Sequence, residues 1–316
     1  MGHGPIRPTL QTVARVKKTC IIFNPTAGGD KAIRFRDQLA SIASALVLKR
    51  TDAAGAARRL AREAVMEGFT TLIAAGGDGT VNEVLNGIGD VPDGLRLCRL
   101  AVVPLGTVNV FAKELKIPAQ LRPALSLALG EETRVIDLPV AEFTRESDGA
   151  HERRYFAQLA GSGLDARAID QVKWSLKKRF GPFAYVIAGF SALRQSCPPV
   201  RVISPERSAE GELVLLGNGR FYGGRFELFP GARFNDGLLD VVVFPKATLS
   251  TLLRFGAGWT TGKVHRFTGA EIWRSRKLTL ECDGKMPFEL DGDNVGHLPV
   301  TFTVEPRRLR VAARQP

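Results

Sequence analysis

The sequence predicts an α/β fold followed by a β-rich one: an N-terminal Rossmann-like domain with a parallel sheet, then a C-terminal antiparallel β-sandwich. Three observations carry this. Apolar runs end in glycine turns that open helical segments at three places before Leu115. From about Leu138 the pattern changes to short β-rich segments separated by Gly, Pro, Asn and Asp. The chain's 316 residues are enough for two domains, which the change of pattern divides into 1–137 and 138–304.

Residues 1–17 read as a loose basic arm. The first strand spans Thr19 to Phe23 and stops at Asn24-Pro25, where the turn NPTAGGDK precedes a helical segment from Ala32 to Ala45. A short apolar piece, Ala45 to Leu48, leads to Thr51, and Ala53 to Gly68 is an alanine-rich helix punctuated by arginines. Next comes the apolar run Leu72 to Ala75, then Gly76-Gly77-Asp78-Gly79-Thr80, then Val81, Val84, Leu85 and Ile88 at helical spacing. The third unit is Leu100 to Val103, the turn Pro104-Leu105-Gly106-Thr107-Val108-Asn109, and a helix from Val110 to Leu115 that closes before Pro118. Repeated strand–turn–helix units argue for a parallel sheet. Such sheets bind ligands beyond the carboxyl ends of their strands, where all three turns lie.

In the second half, Arg154 to Leu159, Gly211 to Leu216, Arg225 to Phe229, Leu238 to Phe244, Lys277 to Glu281, Pro287 to Leu290 and Pro299 to Val304 read as strands of a sandwich or barrel. The exception is Ala166 to Leu193, helical in part, with KKRFGPFAYVIAGFSAL. Its basic front and aromatic continuation suit either a lipid-gripping surface element or a helix packed on its own sheet.

The chemistry is concentrated in the turn at residues 76–80. Three of its five residues lack a Cβ, so the backbone comes close to a ligand while the helix start aims N–H groups at it. Anions belong there. The turn is neither GxxxxGK[ST] nor GxGxxG, and it sets the carboxylate of Asp78 inside the anion site. A carboxylate beside phosphate oxygens calls for a cation between them, and Mg²⁺ fits; metal-assisted phosphoryl transfer follows. A tight turn with a helix-capping Asp and Thr is the structural alternative.

The net charge of +12 implies attraction to polyanions or anionic lipid. The basic clusters are short and no nucleic-acid motif accompanies them, so nucleic acid is not expected. Cys20, Cys98, Cys197 and Cys282 are far apart, and the four histidines have no ligand spacing, so neither a zinc site nor a disulfide framework is expected. The N-terminus lacks the apolar core of a signal peptide, and no run approaches the roughly 18 apolar residues of a membrane span. A cytoplasmic protein, at most peripherally membrane-associated, is expected.

The motifs GGDGTVNEVLNG, PLGTVNVFAKEL, YFAQLAGSGLDA, GNGRFYGGRFELFPGARFNDGLLDVVVF and ELDGDNVGHLPVTFTVEP, in this order, resemble the catalytic domain shared by diacylglycerol kinases, sphingosine and ceramide kinases and bacterial lipid kinases. The likeness covers nearly the whole chain. It implies a nucleotide-binding α/β domain, a β-rich lipid-substrate domain, and a C-terminus (305–316) that returns to the first domain. It implies ATP contacts at Asn24, Thr51, Gly76, Gly77, Asp78, Gly79, Thr80, Val81, Asn82, Gly106 and Thr107. It implies Mg²⁺ held by Asp236 with the carbonyls of Arg233 and Leu238, where Asn235-Asp236-Gly237 also reads as a hairpin turn. The family's proton acceptor ends a Leu-Asp-Gly-Glu motif; here Leu290-Asp291-Gly292-Asp293 puts Asp293, one methylene shorter, in that role. A second departure is Val108 and Val110, where many diacylglycerol kinases carry Gly and Asp.

The implied reaction is transfer of the γ-phosphoryl group of ATP to a hydroxyl of a diacylglycerol- or sphingoid-like lipid at an anionic membrane surface, with Asp78 and Asp293 catalytic. A homodimer is compatible with it. Two other readings stay open: a kinase of a soluble substrate, since NAD kinases share a GGDGT loop, and a nonenzymatic nucleotide or lipid sensor.

Overall fold

The computed structural model describes residues 18–27, 29, 35, 46–163, 198–222, 224, 226–246 and 269–315. The N-terminal arm, the helical segment expected over 32–45 apart from Phe35, and the segment 166–193 lie outside the described residues. The chain divides into two compact units, Met1–Ile136 with Arg308–Pro316, and Asp137–Arg307.

In the first unit β1 (Thr19–Phe23), β2 (Val47–Arg50), β3 (Thr71–Gly76) and β4 (Arg99–Pro104) pair in parallel in the order β2-β1-β3-β4. Arg310 and Val311 add to β4 in parallel, opposite Arg99 and Leu100. Every residue of β1, β3 and β4 is buried. This is why these strands read as continuous apolar runs rather than alternating ones. β2 is the exposed edge and starts two residues after the apolar piece expected from Ala45.

The helices are α1 (Ala56–Met66), α2 (Asp78–Gly89), α3 (Gly94–Leu97), α4 (Val110–Glu114) and α5 (Leu121–Leu129). α1 buries Ala56, Ala57, Leu60, Ala61 and Ala64 and leaves Arg59 and Arg62 outward, an amphipathic stripe of small residues. It ends in a Schellman motif: Gly68, at φ 88°, donates to the Val65 carbonyl and Phe69 donates to that of Ala64. Small residues let α1 and α2 approach closely, since a Cβ on Gly87 would collide with the Arg58 carbonyl. Arg58 closes the contact with two 2.7 Å bonds to Asp90. The helix α5 was not expected from the sequence, and tertiary contacts hold its end. Arg99, only 1% exposed, donates to the carbonyls of Ala128 (2.6 Å) and Gly130 (2.8 Å), placing a cation on the carbonyl end of the helix.

The second unit is built from β5 (Arg134–Thr144), β6 (His151–Tyr155), β7 (Leu159–Gly163), β8 (Val200–Ile203), β9 (Ser208–Gly211), β10 (Leu213–Gly217), the short pair β11 (Phe221–Tyr222) and β12 (Phe226–Glu227), β13 (Leu239–Phe244), β14 (Glu271–Ser275), β15 (Lys277–Cys282), β16 (Pro287–Leu290), β17 (Asp293–His297) and β18 (Val300–Val311). The residues of β5 up to Ile136 and those of β18 past Arg307 belong to the first unit. One sheet runs β18-β15-β8-β9, with β5 on β18 and β6 on β5; the other runs β14-β13-β10-β7-β16-β17.

Antiparallel pairing dominates both sheets. Inward residues of the two sheets share one core that includes Phe143, Phe156, Val214, Val241, Phe288 and Phe302. Within it Phe143–Phe288 and Phe156–Phe302 meet edge to face, with centroids 5.0 and 5.8 Å apart. Period-two alternation sends Leu213, Leu215, Val242 and Phe244 to the opposite face, where Leu228, Phe229 and Ala232 cover them. β10 and β13 therefore carry apolar residues on both faces, with Asp240 of β13 the exception.

Two expected strands are interrupted, each for a visible reason. Arg154–Leu159 divides into the end of β6 and the start of β7, because the N–H groups of Ala157, Gln158 and Leu159 go to the carboxylate of Asp291 rather than to a neighbouring strand. Gly211–Leu216 breaks at Glu212, where the chain passes from the sheet of β9 to that of β10.

Arg99→Met is expected to lower unfolding free energy by about 1–3 kcal/mol, the cost of leaving carbonyl acceptors buried without their donor. Urea denaturation followed by circular dichroism checks this.

Candidate functional site

In the first unit β1, β3 and β4 end at the same edge, and the chain leaves each strand through a turn. The second and third turns touch backbone to backbone. A Cβ on Gly106 would stand 2.6 Å from the Gly77 Cα, so the approach requires glycine. Leu105 and Gly106 both donate their N–H groups to the Gly76 carbonyl, at 2.9 and 3.3 Å. A Cβ on Gly76 would run into the Thr80 side chain.

The first turn joins through Asn24. Its Nδ2 donates to Thr80 Oγ1 at 3.1 Å, while its Oδ1 accepts the N–H and hydroxyl of Thr26 at 3.0 and 2.8 Å. Asp78 accepts the Phe111 N–H at 3.3 Å, tying the second turn to the start of α4. Asn109, at φ 53°, donates through Nδ2 to the Gly106 carbonyl at 2.6 Å. Asn24, Gly76, Gly77, Asp78, Thr80 and Gly106 are thereby brought together.

The remaining candidates of this unit surround them. Thr51 follows β2 and donates its N–H to the Phe23 carbonyl at 2.9 Å. Gly79 sits half-buried in the first turn of α2, and Thr107 is exposed beside Gly106. Asn82 accepts from Asn86 Nδ2 at 3.0 Å. Val81 is 3% exposed and its N–H is bound to the Gly77 carbonyl, so its side chain is buried and its donor is spent within the helix. The helix start at Gly79 and Thr80 presents N–H groups that helix geometry leaves without an intrahelical acceptor, a local positive potential suited to an anion. Cys20 and Cys98 supply no thiolate near neutral pH, because burial pushes each thiol up to about 11.

In the second unit Leu290-Asp291-Gly292-Asp293 forms a two-residue hairpin. Leu290 pairs with Asp293, and Asp291 and Gly292 between them have φ of 51° and 90°, as a type I′ turn requires. Asp291 takes three backbone N–H groups: Ala157 at 2.8 Å, Gln158 at 2.9 Å and Leu159 at 3.1 Å. Glu289, fully buried, accepts the Gly292 N–H at 2.7 Å. Two acids thus fix the turn, and a third, Asp293, is carried exposed on its far side at the start of β17.

The loop before β13 is organised by Asp137, which is 1% exposed and accepts the N–H groups of Gly237 and Arg307, both at 2.7 Å. Asn235-Asp236-Gly237 is not a hairpin turn as the sequence allowed, since β13 pairs with β10 and β14 instead. Asp236 Oδ1 accepts the Leu238 N–H at 3.1 Å. Its Oδ2 is buried with no hydrogen-bond partner among the described residues. A leftover buried carboxylate oxygen in a turn with carbonyls is a donor set that fits a hard cation. No cluster of three or more His, Cys, Asp or Glu side chains is placed to hold a metal among the described residues, so a divalent ion here would rely on carbonyls such as those of Arg233 and Leu238.

Comparison with known proteins accounts for both halves. Residues 18–141 match the model of the diacylglycerol kinase catalytic domain, and residues 158–313 match that of the YegS C-terminal NAD kinase beta sandwich-like domain. The chain is 36% identical over 267 residues to a Pseudomonas aeruginosa protein named "Probable lipid kinase YegS-like", covering 81% of each. It is 31% identical over 293 residues to a diacylglycerol kinase of Staphylococcus epidermidis, covering 90% of this chain and 89% of the relative. A solved diacylglycerol kinase from Bacillus anthracis shares the fold at 20% identity, with a TM-score of 0.66 over 94% of this chain and 97% of the other. The chain belongs to the diacylglycerol kinase catalytic-domain family of lipid kinases.

The sequence reading missed several residues that shape these sites. Glu83 caps α1 from another helix, accepting the N–H groups of Gly55 and Ala57 at 2.9 Å each, and nothing local to either segment announces it. Glu289 was detectable as a lone acid inside the apolar run Pro287–Leu290.

Asp291→Ala is expected to destabilise the protein by about 3 kcal/mol or more, since three backbone donors lose a charged acceptor. Asp293→Ala, on an exposed position of the same hairpin, is expected to change stability by less than about 0.5 kcal/mol. Paired denaturation curves decide whether the two acids divide the work in this way.

Proposed function

We propose that this chain transfers the γ-phosphoryl group of ATP to a hydroxyl of a diacylglycerol- or sphingoid-like lipid. The observation that carries the reading is the contact between the Gly77 and Gly106 turns beside the start of α2. There the backbone is bare beside the unsatisfied N–H groups of the α2 start, in a chain whose family phosphorylates lipids. The N–H groups of the glycine turns hold the triphosphate, with Asn24 and Thr80 bracing the first turn against the second. Asp78 sets the third turn against the second through the Phe111 N–H, and its negative charge, which Asn lacks, would draw the cation that screens the phosphates. Asp293 accepts the proton of the attacking hydroxyl; its exposure and its rigid hairpin suit a base that must meet a substrate. Asp236 and the carbonyls of Arg233 and Leu238 would hold Mg²⁺, which when bound supplies a divalent positive charge. Positioning and electrostatics carry most of such a reaction.

A long-chain acceptor enters from a membrane. Among the described residues no helix is long and apolar enough to cross one, and the net charge of +12 favours an anionic surface. The acceptor is identified by incubating labelled ATP with diacylglycerol, sphingoid base, ceramide and NAD in mixed micelles, with mass identification of the product.

Asp293→Asn is expected to reduce kcat by about 10²–10⁴-fold while Mg-ATP binding by calorimetry and the melting temperature stay near wild type. Retained turnover removes Asp293 from the mechanism. Asp78→Asn is expected to abolish transfer in a folded protein; unchanged activity at wild-type melting removes Asp78 as well.

A further inference from the structure

Asp240 on β13 and Arg274 on β14 are direct cross-strand partners. Arg274 Nε donates to Asp240 Oδ1 at 3.3 Å, and Nη1 lies 3.8 Å from Asp236 Oδ2. Nη2 donates to the Gly231 carbonyl, an approach that a Cβ on Gly231 would block. One guanidinium therefore spans a strand and both ends of the 231–236 loop. Asp240 is 6% exposed, and its Oδ2, like that of Asp236, has no hydrogen-bond partner among the described residues. Two carboxylates share a single cation here, so the site keeps one negative charge uncompensated by Arg274. A buried carboxylate in that condition attracts a further cation.

We propose that Arg274 is the resident cation of the Asp236 loop and sets its affinity for a divalent ion. The guanidinium and the ion draw on the same Asp236 Oδ2. With no ion bound, Arg274 holds the loop in place from Gly231 to Asp236. With an ion bound, Asp240 retains Arg274 while Asp236 turns its charge to the metal. Arg274 is thus a positioning residue that keeps the site formed and its ion exchangeable. This rests on the assignment of the ion to Asp236 made above, and the test separates the two.

Mn²⁺ and Mg²⁺ binding to the full chain is measured by calorimetry, together with the melting temperature at increasing ion concentration, without nucleotide or lipid. Removing a unit charge about 4 Å from the ligating oxygen is expected to tighten ion binding about tenfold in Arg274→Met. The ion-free melting temperature is expected to fall and the ion-induced rise to grow. Asp236→Asn is expected to abolish binding in either background, and adding Asp240→Asn to Arg274→Met is expected to return affinity toward wild type. If Arg274→Met does not fold, Arg274→Gln, which keeps a donor for the Gly231 carbonyl, gives the same comparison. Affinity within twofold of wild type in the Arg274 variant, with binding still lost in Asp236→Asn, overturns the proposal and leaves the ion at Asp236. Wild-type affinity in Asp236→Asn removes the ion from Asp236 and overturns both.

Discussion

Two glycines pressed Cα to Cα hold the first unit's turns in their places. Gly106 can come this close to Gly77 only because it carries no Cβ, and the contact requires β3 and β4 to end level, as the pairing of Gly76 with Pro104 makes them do. Once the two turns touch, the rest of the cluster has short bonds to make. Asn24 reaches Thr80, Asp78 reaches the first turn of α4, and Asn109 closes the third turn on Gly106. Turns fixed in this way have little order left to lose, which is what the proposed function asks of them.

The acids of the chain separate by what their oxygens are doing. Asp137, Asp291 and Glu83 each accept at least two backbone N–H groups, and each holds together segments distant in sequence. A carboxylate engaged in that way is a structural part, since its charge is already met by oriented dipoles. Asp293 is exposed, and Asp236 has a carboxylate oxygen with no hydrogen-bond partner among the described residues. These two acids differ from the structural ones in that neither is recorded as a clamp on two backbone N–H groups, and the proposed function draws on both.

The departures from the wider family have local physical settings. Val110, in a position where many relatives in the family carry Asp, is 8% exposed on the inner side of α4, so this chain uses that position for packing. At the end of the Leu-Asp-Gly-Asp motif a shorter acid sits on a hairpin held by Asp291 and Glu289. Rigidity of that support bears on where the carboxylate of Asp293 can be.

The sequence by itself determined the parallel strands β1, β3 and β4 and the turns that follow them, because buried parallel strands leave continuous apolar runs and glycine turns interrupt them visibly. It also marked the change to an antiparallel β-rich half through short β-rich segments separated by Gly, Pro, Asn and Asp. What it left undecided were features made by distant partners. α5 ends on Arg99, α1 starts on Glu83, and the break between β6 and β7 exists because Asp291, more than a hundred residues away, takes three N–H groups. The shared cation of Asp236 and Asp240 is equally invisible in one dimension, because Arg274 meets them only through strand register. Local pattern reports what a segment buries; only the folded chain decides which charge answers which backbone group, since that depends on distances the sequence does not contain.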